Sequence, residues 1–418
     1  MPRRRTPGAD HLSSRHALGN IVSDPILEPN LGPAFDQAIE EIKALGVSVS
    51  GSPRDALVPY AIVGGRSNFR WWLIPLDNRQ IISSSLALFQ PTLFTAGLIK
   101  RAALTLTAFG MSSAWARPKL YLSPTPTSIS EYFGCSGLRF AYFTGTDSPH
   151  RKITVQAMDV EGRIRGYAKA TTNALVRPLL RHEAETLTRV RLLRLKSALI
   201  PEVLFSGEVG ATTVLVTDTL KRPSTRSTVT LQPKHIAFLR ELAQRTARAT
   251  SGSGSSHAAS LSGRLNSVSD RLPTAWLNRL TDAIRRCGAE NPSQLFRSLT
   301  HGDFTPWNSF FVDDQLYVFD WEYAQDDMPA SNDLFHFLLA NPRMRNRSPE
   351  AVVETLANRF GDVIGAATKD TARHAVLIYL TNHALRTIER SNEPFDMIEK
   401  RDGMLQDAAL LDSVLAGH

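Results

Sequence analysis

Cysteine is scarce in this chain of 418 residues, which contains only Cys135 and Cys287. Two cysteines cannot form the disulfide framework of a small secreted domain, and no Cys/His pattern has the spacing of a zinc site. The composition therefore favours a protein of a reducing compartment, and we expect it in the cytoplasm.

Long apolar runs are also missing, so no transmembrane segment is predicted. The longest candidate, Leu93 to Met111, is interrupted by Lys100 and Arg101. These cations leave peripheral contact with an anionic membrane open, although cations on buried helices commonly extend to water. The basic N-terminus is not followed by an apolar segment, which argues against a signal peptide.

Neither sign of charge dominates the chain. The 48 Lys and Arg residues against 40 Asp and Glu residues give a net charge of +8. This excess suits a phosphate-bearing ligand, but a basic N-terminal tail with Arg3, Arg4, Arg5 and Arg15 explains part of it equally well. We predict no nucleic-acid partner.

The length exceeds what one hydrophobic core usually serves, so several domains are expected. Residues 1–24 are polar, basic and without periodicity, which predicts a disordered tail. We predict an accessory α/β domain at 25–118, a β-rich lobe at 119–220 and a helical lobe at 221–418. The Ser/Gly-rich stretch from Thr250 to Ser262 is expected to form a flexible loop within the helical lobe.

The β-rich lobe has the predicted order β-β-β-α-β-β, typical of a small antiparallel sheet with one helix against it. Lys169 lies near the end of the third strand, and Glu183 lies on the following helix. A pair of this kind can hold a cation against nucleotide phosphates, but it also occurs by chance as a solvated ion pair. Glu185 competes with Glu183 for the position.

The stretch from Thr300 to Tyr323 carries the chemistry of the chain. Two short apolar runs flank the turn Asp313-Asp314, which predicts a β-hairpin. The hairpin brings Asp303, Asn308 and Asp320 to the same end. A carboxylate beside an Asn and a second Asp is what Mg²⁺-dependent phosphoryl transfer needs. The alternative is a surface hairpin whose turns favour Asp and Asn.

The sequence H-G-D-F-T-P-W-N followed by V-F-D-W-E-Y resembles the aminoglycoside phosphotransferase and choline kinase superfamily. The resemblance extends from about Leu120 to the C-terminus. It implies an α+β, protein-kinase-like bilobal fold with an antiparallel β N-lobe and a helical C-lobe, to which residues 25–118 add an N-terminal α/β domain. It also implies ATP-dependent transfer of the γ-phosphate to a hydroxyl of a sugar, an amino alcohol or an aminoglycoside-like molecule.

The resemblance assigns roles residue by residue. Asp303 matches the catalytic aspartate that receives the hydroxyl proton. Asn308 and Asp320 match the Mg²⁺ ligands, and Glu322 matches an acidic residue that assists the metal. The residues implied for nucleotide binding are the pair Lys169 and Glu183, the phosphate-loop residues Thr144 and Thr146, and the hinge residues Asp218 and Thr219. His301 and Asp333 are expected to brace the catalytic loop.

Some of the sequence departs from this family. The phosphate loop has the single glycine Gly145, and the first 120 or so residues match no part of the family core. A nucleotide-binding scaffold without turnover therefore remains an alternative, as does an adaptor that docks through the Met1–Met111 region. Several polar or aromatic residues can line an acceptor site or simply pack: His374, Tyr379, His383, Arg386, Trp307 and Trp321.

Overall fold

The computed structural model describes residues 31–65, 69–89, 94–124, 126, 128–146, 148–222, 225, 227–247, 254–289, 295–365, 367–391, 393–401 and 403–417. The predicted tail at 1–24 lies outside these ranges. The strands are β1 Val49–Ser50, β2 Val58–Gly65, β3 Arg70–Pro75, β4 Leu120–Leu122, β5 Arg139–Phe143, β6 Ile153–Met158, β7 Ile164–Thr171, β8 Ala198–Leu199, β9 Val203–Val209, β10 Thr212–Asp218, β11 Arg297–Thr300, β12 Ser309–Val312, β13 Gln315–Val318 and β14 Gln325–Pro329.

The α-helices are α1 Pro33–Lys43, α2 Arg79–Ser85, α3 Phe94–Ala108, α4 Arg177–Leu192, α5 Pro233–Thr246, α6 Gly254–Asn266, α7 Thr274–Ala289, α8 Asn332–Leu339, α9 Pro342–Arg345, α10 Pro349–Arg359, α11 Gly361–Ile364, α12 Lys369–Glu389, α13 Phe395–Arg401 and α14 Met404–Ala416. Among the described residues, no helix has both the length and the apolar character needed to cross a membrane.

The β-rich lobe is built on one nine-stranded sheet with the order β1-β4-β2-β3-β5-β6-β7-β10-β9. Its strand pairs are antiparallel, and Lys169 of β7 lies between Thr154 of β6 and Leu215 of β10. Helix α4 follows β7 and buries Leu180, Leu187 and further residues of one face. The predicted order β-β-β-α-β-β and the bilobal α+β architecture are confirmed.

The N-terminal strands extend this same sheet. Strand β3 pairs with β5 through Trp72 opposite Phe143 and Leu73 opposite Tyr142. Phe35 of α1 and Trp71 of β3 are buried in the same core as Phe140 of β5, because the sheet presents one continuous apolar face to α1. The domain boundary predicted after residue 118 thus falls within a shared sheet and a shared core.

The helical lobe is organised around α12, which is buried on most sides by α7, α8, α10 and α14. The prediction of a flexible loop from Thr250 to Ser262 is wrong for its described part, because α6 spans Gly254–Asn266. Leu261 and Leu265, one helical turn apart, are buried against the core and outweigh the Ser/Gly composition. Helices α13 and α14 are separate, and Gly403, whose φ is +76°, immediately precedes α14.

Candidate active site

The predicted hairpin forms and sets the ends of two functional loops side by side. Ser309 of β12 pairs with Val318 of β13, and the Phe319 amide donates a 3.2 Å hydrogen bond to the Asn308 carbonyl. The turn residues Asp313 and Asp314 have φ values of +44° and +67°, as a tight hairpin of right-handed twist requires.

The loop that carries Asp303 is held by backbone contacts. Asp333 accepts hydrogen bonds from the amides of His301 at 2.6 Å and Gly302 at 2.9 Å. Gly302 has a φ of +79°, and a Cβ there would lie 1.8 Å from the Tyr323 carbonyl oxygen. Only glycine therefore fits between the two functional loops. These contacts are the bracing expected of Asp333.

Asp303 is fixed at both carboxylate oxygens. The Asn308 amide nitrogen donates to Oδ2 at 3.0 Å, and His336 Nε2 lies 3.0 Å from Oδ1. Burial opposes ionisation of Asp303. The His336 hydrogen bond and the charges of Arg390 and Arg386 outweigh burial and hold the pKa of this carboxyl well below its ordinary value. Asp303 is thus an oriented, ionised acceptor of hydrogen bonds.

His336 is a site residue that the sequence analysis missed. Burial lowers the pKa of His336 below its ordinary value, which favours the neutral imidazole at pH 7. An ionised Asp303 accepts only, which places the imidazole proton on Nε2. Nδ1 then accepts from the Tyr379 hydroxyl at 3.0 Å. His336 follows Asp333 by three residues on α8, so the shared helical face was the available signal.

Lys169 connects the β lobe to the catalytic hairpin. Its Nζ lies 2.6 Å from both Glu183 oxygens and 2.5 Å from Asp320 Oδ1. Burial lowers the pKa of Lys169, but the negative charges of Asp320 and Glu183 outweigh it and raise the pKa above its ordinary value. Burial raises the pKa of Asp320, and the charge of Lys169 outweighs it, so the net shift is downward. The competing candidate Glu185 is exposed on α4.

The carboxylates at this junction have the composition of a divalent-metal site. Glu183, Asp320 and Glu322 offer oxygen atoms within 4.8 Å of one another. Lys152 Nζ lies 2.5 Å from Glu322 Oε2, so three carboxylates face the two lysines Lys152 and Lys169. With all five groups ionised the balance is one negative charge, although burial raises the pKa of Glu183 to about 7. Oxygen donors with an excess negative charge suit Mg²⁺. Asn308 uses its amide nitrogen on Asp303, so its amide oxygen is the atom that could bind a metal.

A cavity of about 580 Å³ lies between the two lobes. It brings together most of the residues predicted to bind nucleotide, metal or acceptor: Thr146, Lys169, Glu183, Asp218, Thr219, Asp303, Asn308 and Asp320. Trp307 also lines it and is 40% exposed, whereas Trp321 is fully buried.

Thr144 and Glu322 lie outside the lining of this cavity. Thr144 is fully buried and hydrogen-bonds to β3, where its amide donates to the Trp71 carbonyl at 3.0 Å. Its hydroxyl accepts from the Trp71 amide at 3.1 Å. Thr144 therefore anchors the predicted phosphate loop to β3, while Glu322 forms an ion pair with Lys152.

The N-terminal region contributes directly to the cavity. Arg70 and Trp72 of β3 and Leu88 after α2 are among its lining residues. The Trp72 ring stacks on Phe143 with 4.8 Å between centroids. No motif in the first 118 residues indicated this role, because it depends on the pairing of β3 with β5.

The long helix α12 supports the catalytic loop from the other side. Tyr379 contacts His336, and Arg386 donates to the carbonyl of Gly302. His383 Nε2 lies 3.7 Å from Asp407, and His374 is buried. Tyr379 and Arg386 thus lie nearest to the chemistry among the four acceptor-site candidates predicted on this helix.

A buried Lys on the sheet is paired with a helix Glu, and both line one cavity with a braced Asp and its Asn partner. This is the arrangement of a kinase-like phosphotransferase. The model of the phosphotransferase enzyme family (APH) matches residues 236–375. This segment contains Asp303, Asn308, Asp320 and Glu322. Residues 236–375 therefore carry the sequence pattern of that family, and the resemblance predicted from the motif is confirmed.

Three of the solved structures that are similar to this chain have 14 to 15% sequence identity with it. A candidate fructosamine-3-kinase from Haemophilus somnus 129PT has 14% identity and a TM-score of 0.46, over 69% of this chain and 95% of that one. A choline kinase from Streptococcus pneumoniae has 15% identity and a TM-score of 0.43, over 63% and 89%. An aminoglycoside phosphotransferase from Alicyclobacillus acidocaldarius has 15% identity and a TM-score of 0.38, over 63% and 90%. No curated protein sequence matches the chain.

Proposed function

We propose that this protein transfers the γ-phosphate of ATP to a hydroxyl group of a small molecule, with Mg²⁺ as cofactor. The observation that carries the proposal is the contact of Lys169 with Asp320, beside Asp303 in one cavity. The ionised Asp303 and Asn308 lie in the same cavity as the Lys169–Glu183 pair, which contacts Asp320 directly.

The nucleotide occupies the cavity between the lobes. Lys169 neutralises charge on its α- and β-phosphates, and Glu183 fixes the position of the Lys169 amine. Asp218 and Thr219, in the hinge, border the base through backbone groups. Thr146 lies in the phosphate loop, and Trp72 and Phe143 add an aromatic wall. Anchoring of this loop through Thr144 limits the loss of conformational entropy on binding.

Asp303 orients the acceptor hydroxyl towards the γ-phosphate. Its low pKa makes it a weak base, so it holds the hydroxyl by a hydrogen bond and receives the proton as the bond to phosphorus forms. Asn308, Asp320 and Glu322 are the residues that would hold Mg²⁺, which neutralises charge on the phosphates when bound. Positioning and electrostatics supply most of the rate enhancement. General-base catalysis by one residue contributes a factor of about 10²–10⁴.

A screen of hydroxylated metabolites for ADP release tests the proposal. We expect at least one sugar, amino alcohol or related alcohol to stimulate ADP release in the presence of ATP and Mg²⁺. A nucleotide-binding scaffold gives a different result: Mg-ATP raises the melting temperature, but no acceptor releases ADP. Absence of both responses would contradict nucleotide binding itself.

A further inference from the structure

A second cavity, of about 530 Å³, lies beside the catalytic loop. Its wall includes Tyr323, Arg386 and Arg390. Arg386 donates to the Gly302 carbonyl, next to Asp303, and the Tyr323 carbonyl abuts Gly302 from the other side. Its volume lies within the range of small-ligand sites, about 300–1,000 Å³. The cavity therefore adjoins the residue that orients the acceptor.

The carboxylates that line this cavity are already paired. Each forms an ion pair with an arginine: Asp326 with Arg189 at 2.9 Å, Asp327 with Arg297 at 3.0 Å, and Glu389 with Arg264 at 2.8 Å. They thus contribute little net negative charge. A polycationic acceptor would need free carboxylates, and the paired acids do not provide them.

Arg386 and Arg390 give the cavity its net charge. They lie four residues apart, at the C-terminal end of α12, and within the described residues neither forms an ion pair with a carboxylate. Burial lowers the pKa of Arg386 to about 10, so it remains a cation at neutral pH. Two neighbouring cations repel each other, and the single negative charge of Asp303, which interacts with both, offsets this repulsion only in part.

The polar atoms that lack partners in this cavity are nitrogens. Arg390 Nε and Nη2 and His257 Nε2 are buried without a hydrogen-bond partner in the described part of the chain. The Arg390 guanidinium carbon lies 3.3 Å from the centroid of the Tyr323 ring, which orients the group. The Arg390 nitrogens are buried donors without acceptors, and they favour a ligand that brings oxygen atoms.

We propose that this cavity binds a small hydroxylated acceptor through an oxyanion group, a carboxylate or a phosphate ester, held by Arg390 and Arg386. A planar guanidinium forms paired hydrogen bonds with either group. The proposal rests on the phosphotransferase function and specifies its acceptor: an acidic or phosphorylated polyol rather than a cationic aminoglycoside or amino alcohol. His257 and the Tyr323 ring contact the rest of the molecule.

Binding of matched ligands to the full-length protein tests the proposal. Calorimetry with saturating Mg²⁺ and a non-hydrolysable ATP analogue compares gluconate and glucose 6-phosphate with glucose and glucosamine. We expect at least one of the two anions to bind about tenfold or more tightly than glucose and glucosamine. Arg390→Gln weakens anion binding about 10- to 100-fold, the loss of a charged hydrogen bond, without changing the affinity for the analogue. Arg390→Lys retains part of the anion affinity.

Arg279→Gln is the matched control, because Arg279 pairs with Asp412 away from this cavity. It is expected to bind both ligand classes like the wild type. Equal or tighter binding of glucose or glucosamine, no binding of either anion, or anion binding unaffected by Arg390→Gln would overturn the proposal. Failure of the ATP analogue to bind contradicts the phosphotransferase function instead, and anion titrations without nucleotide still decide the acceptor class.

Discussion

Replacing His336 tests whether the catalytic carboxylate depends on a neighbour that no motif identifies. His336 Nε2 lies 3.0 Å from Asp303 Oδ1, and the only other side chain hydrogen-bonded to this carboxylate among the described residues is Asn308. His336→Leu removes a hydrogen bond to a charged group, worth about 1.5–3 kcal/mol. If the whole loss falls on the transition state, kcat decreases about 10- to 150-fold.

Two further variants separate hydrogen bonding from packing. In His336→Gln the amide nitrogen can still donate to Asp303, so we expect it to retain more activity than His336→Leu. Tyr379→Phe removes only the hydroxyl that donates to His336 Nδ1. A loss of about 0.5–1.5 kcal/mol corresponds to about a 2- to 10-fold decrease in kcat.

Steady-state kinetics with the best acceptor from the metabolite screen provides the assay. The KM for ATP is expected to stay within about twofold of wild type in all three variants, because His336 does not line the nucleotide cavity. A His336→Leu enzyme with wild-type kcat would refute the reasoning. A parallel loss of ATP affinity would refute it too, since the residue would then support the cleft as a whole.

Three other predictions follow from individual residues. Gly302→Ala should lower the free energy of unfolding by about 2–4 kcal/mol in urea denaturation, because of backbone strain and the clash with Tyr323. The control Gly263→Ala, in open space on α6, should be neutral or stabilising. Equal effects of the two substitutions would contradict the tight fit at Gly302. Burial raises the pKa of Glu41 from 4.5 to about 7, so the wild type loses stability as the pH rises from 4.5 through 7. After discounting for solvent screening, Glu41→Gln should be about 1–2 kcal/mol more stable than the wild type at pH 8. At pH 4.5 the variant should be no more stable than the wild type. A gain independent of pH would show that Glu41 ionisation is not the cause. Asp320→Asn should raise the Mg²⁺ concentration for half-maximal activity at least about tenfold, and an unchanged Mg²⁺ dependence would contradict its role as a ligand.

The features that could be predicted from the sequence depend on contacts between segments that are close along the chain. The hairpin depends on two short strands and the Asp313-Asp314 turn, all within ten residues, so its pairing and the meeting of Asn308 with Phe319 could be predicted. Lys169 and Glu183 could be paired because a strand followed at once by a helix on the same sheet leaves few arrangements.

The features that could not be predicted from the sequence depend on packing between segments that are far apart along the chain. The pairing of β3 with β5 joins residues about seventy positions apart, and no local pattern specifies that partner. The helix at Gly254–Asn266 was obscured by its Ser/Gly composition, since its stability comes from burying Leu261 and Leu265. The role of Arg390 depends on the folded position of Tyr323, which periodicity does not reveal.

The phosphotransferase proposal depends most directly on Asp303. The decisive measurement is acceptor-dependent ADP release by Asp303→Ala, together with Mg-ATP binding by the same variant and by Asp370→Ala as an exposed control. The proposal predicts that Asp303→Ala loses turnover while it still binds Mg-ATP, and that Asp370→Ala behaves like the wild type. ATP turnover unchanged in Asp303→Ala would contradict it.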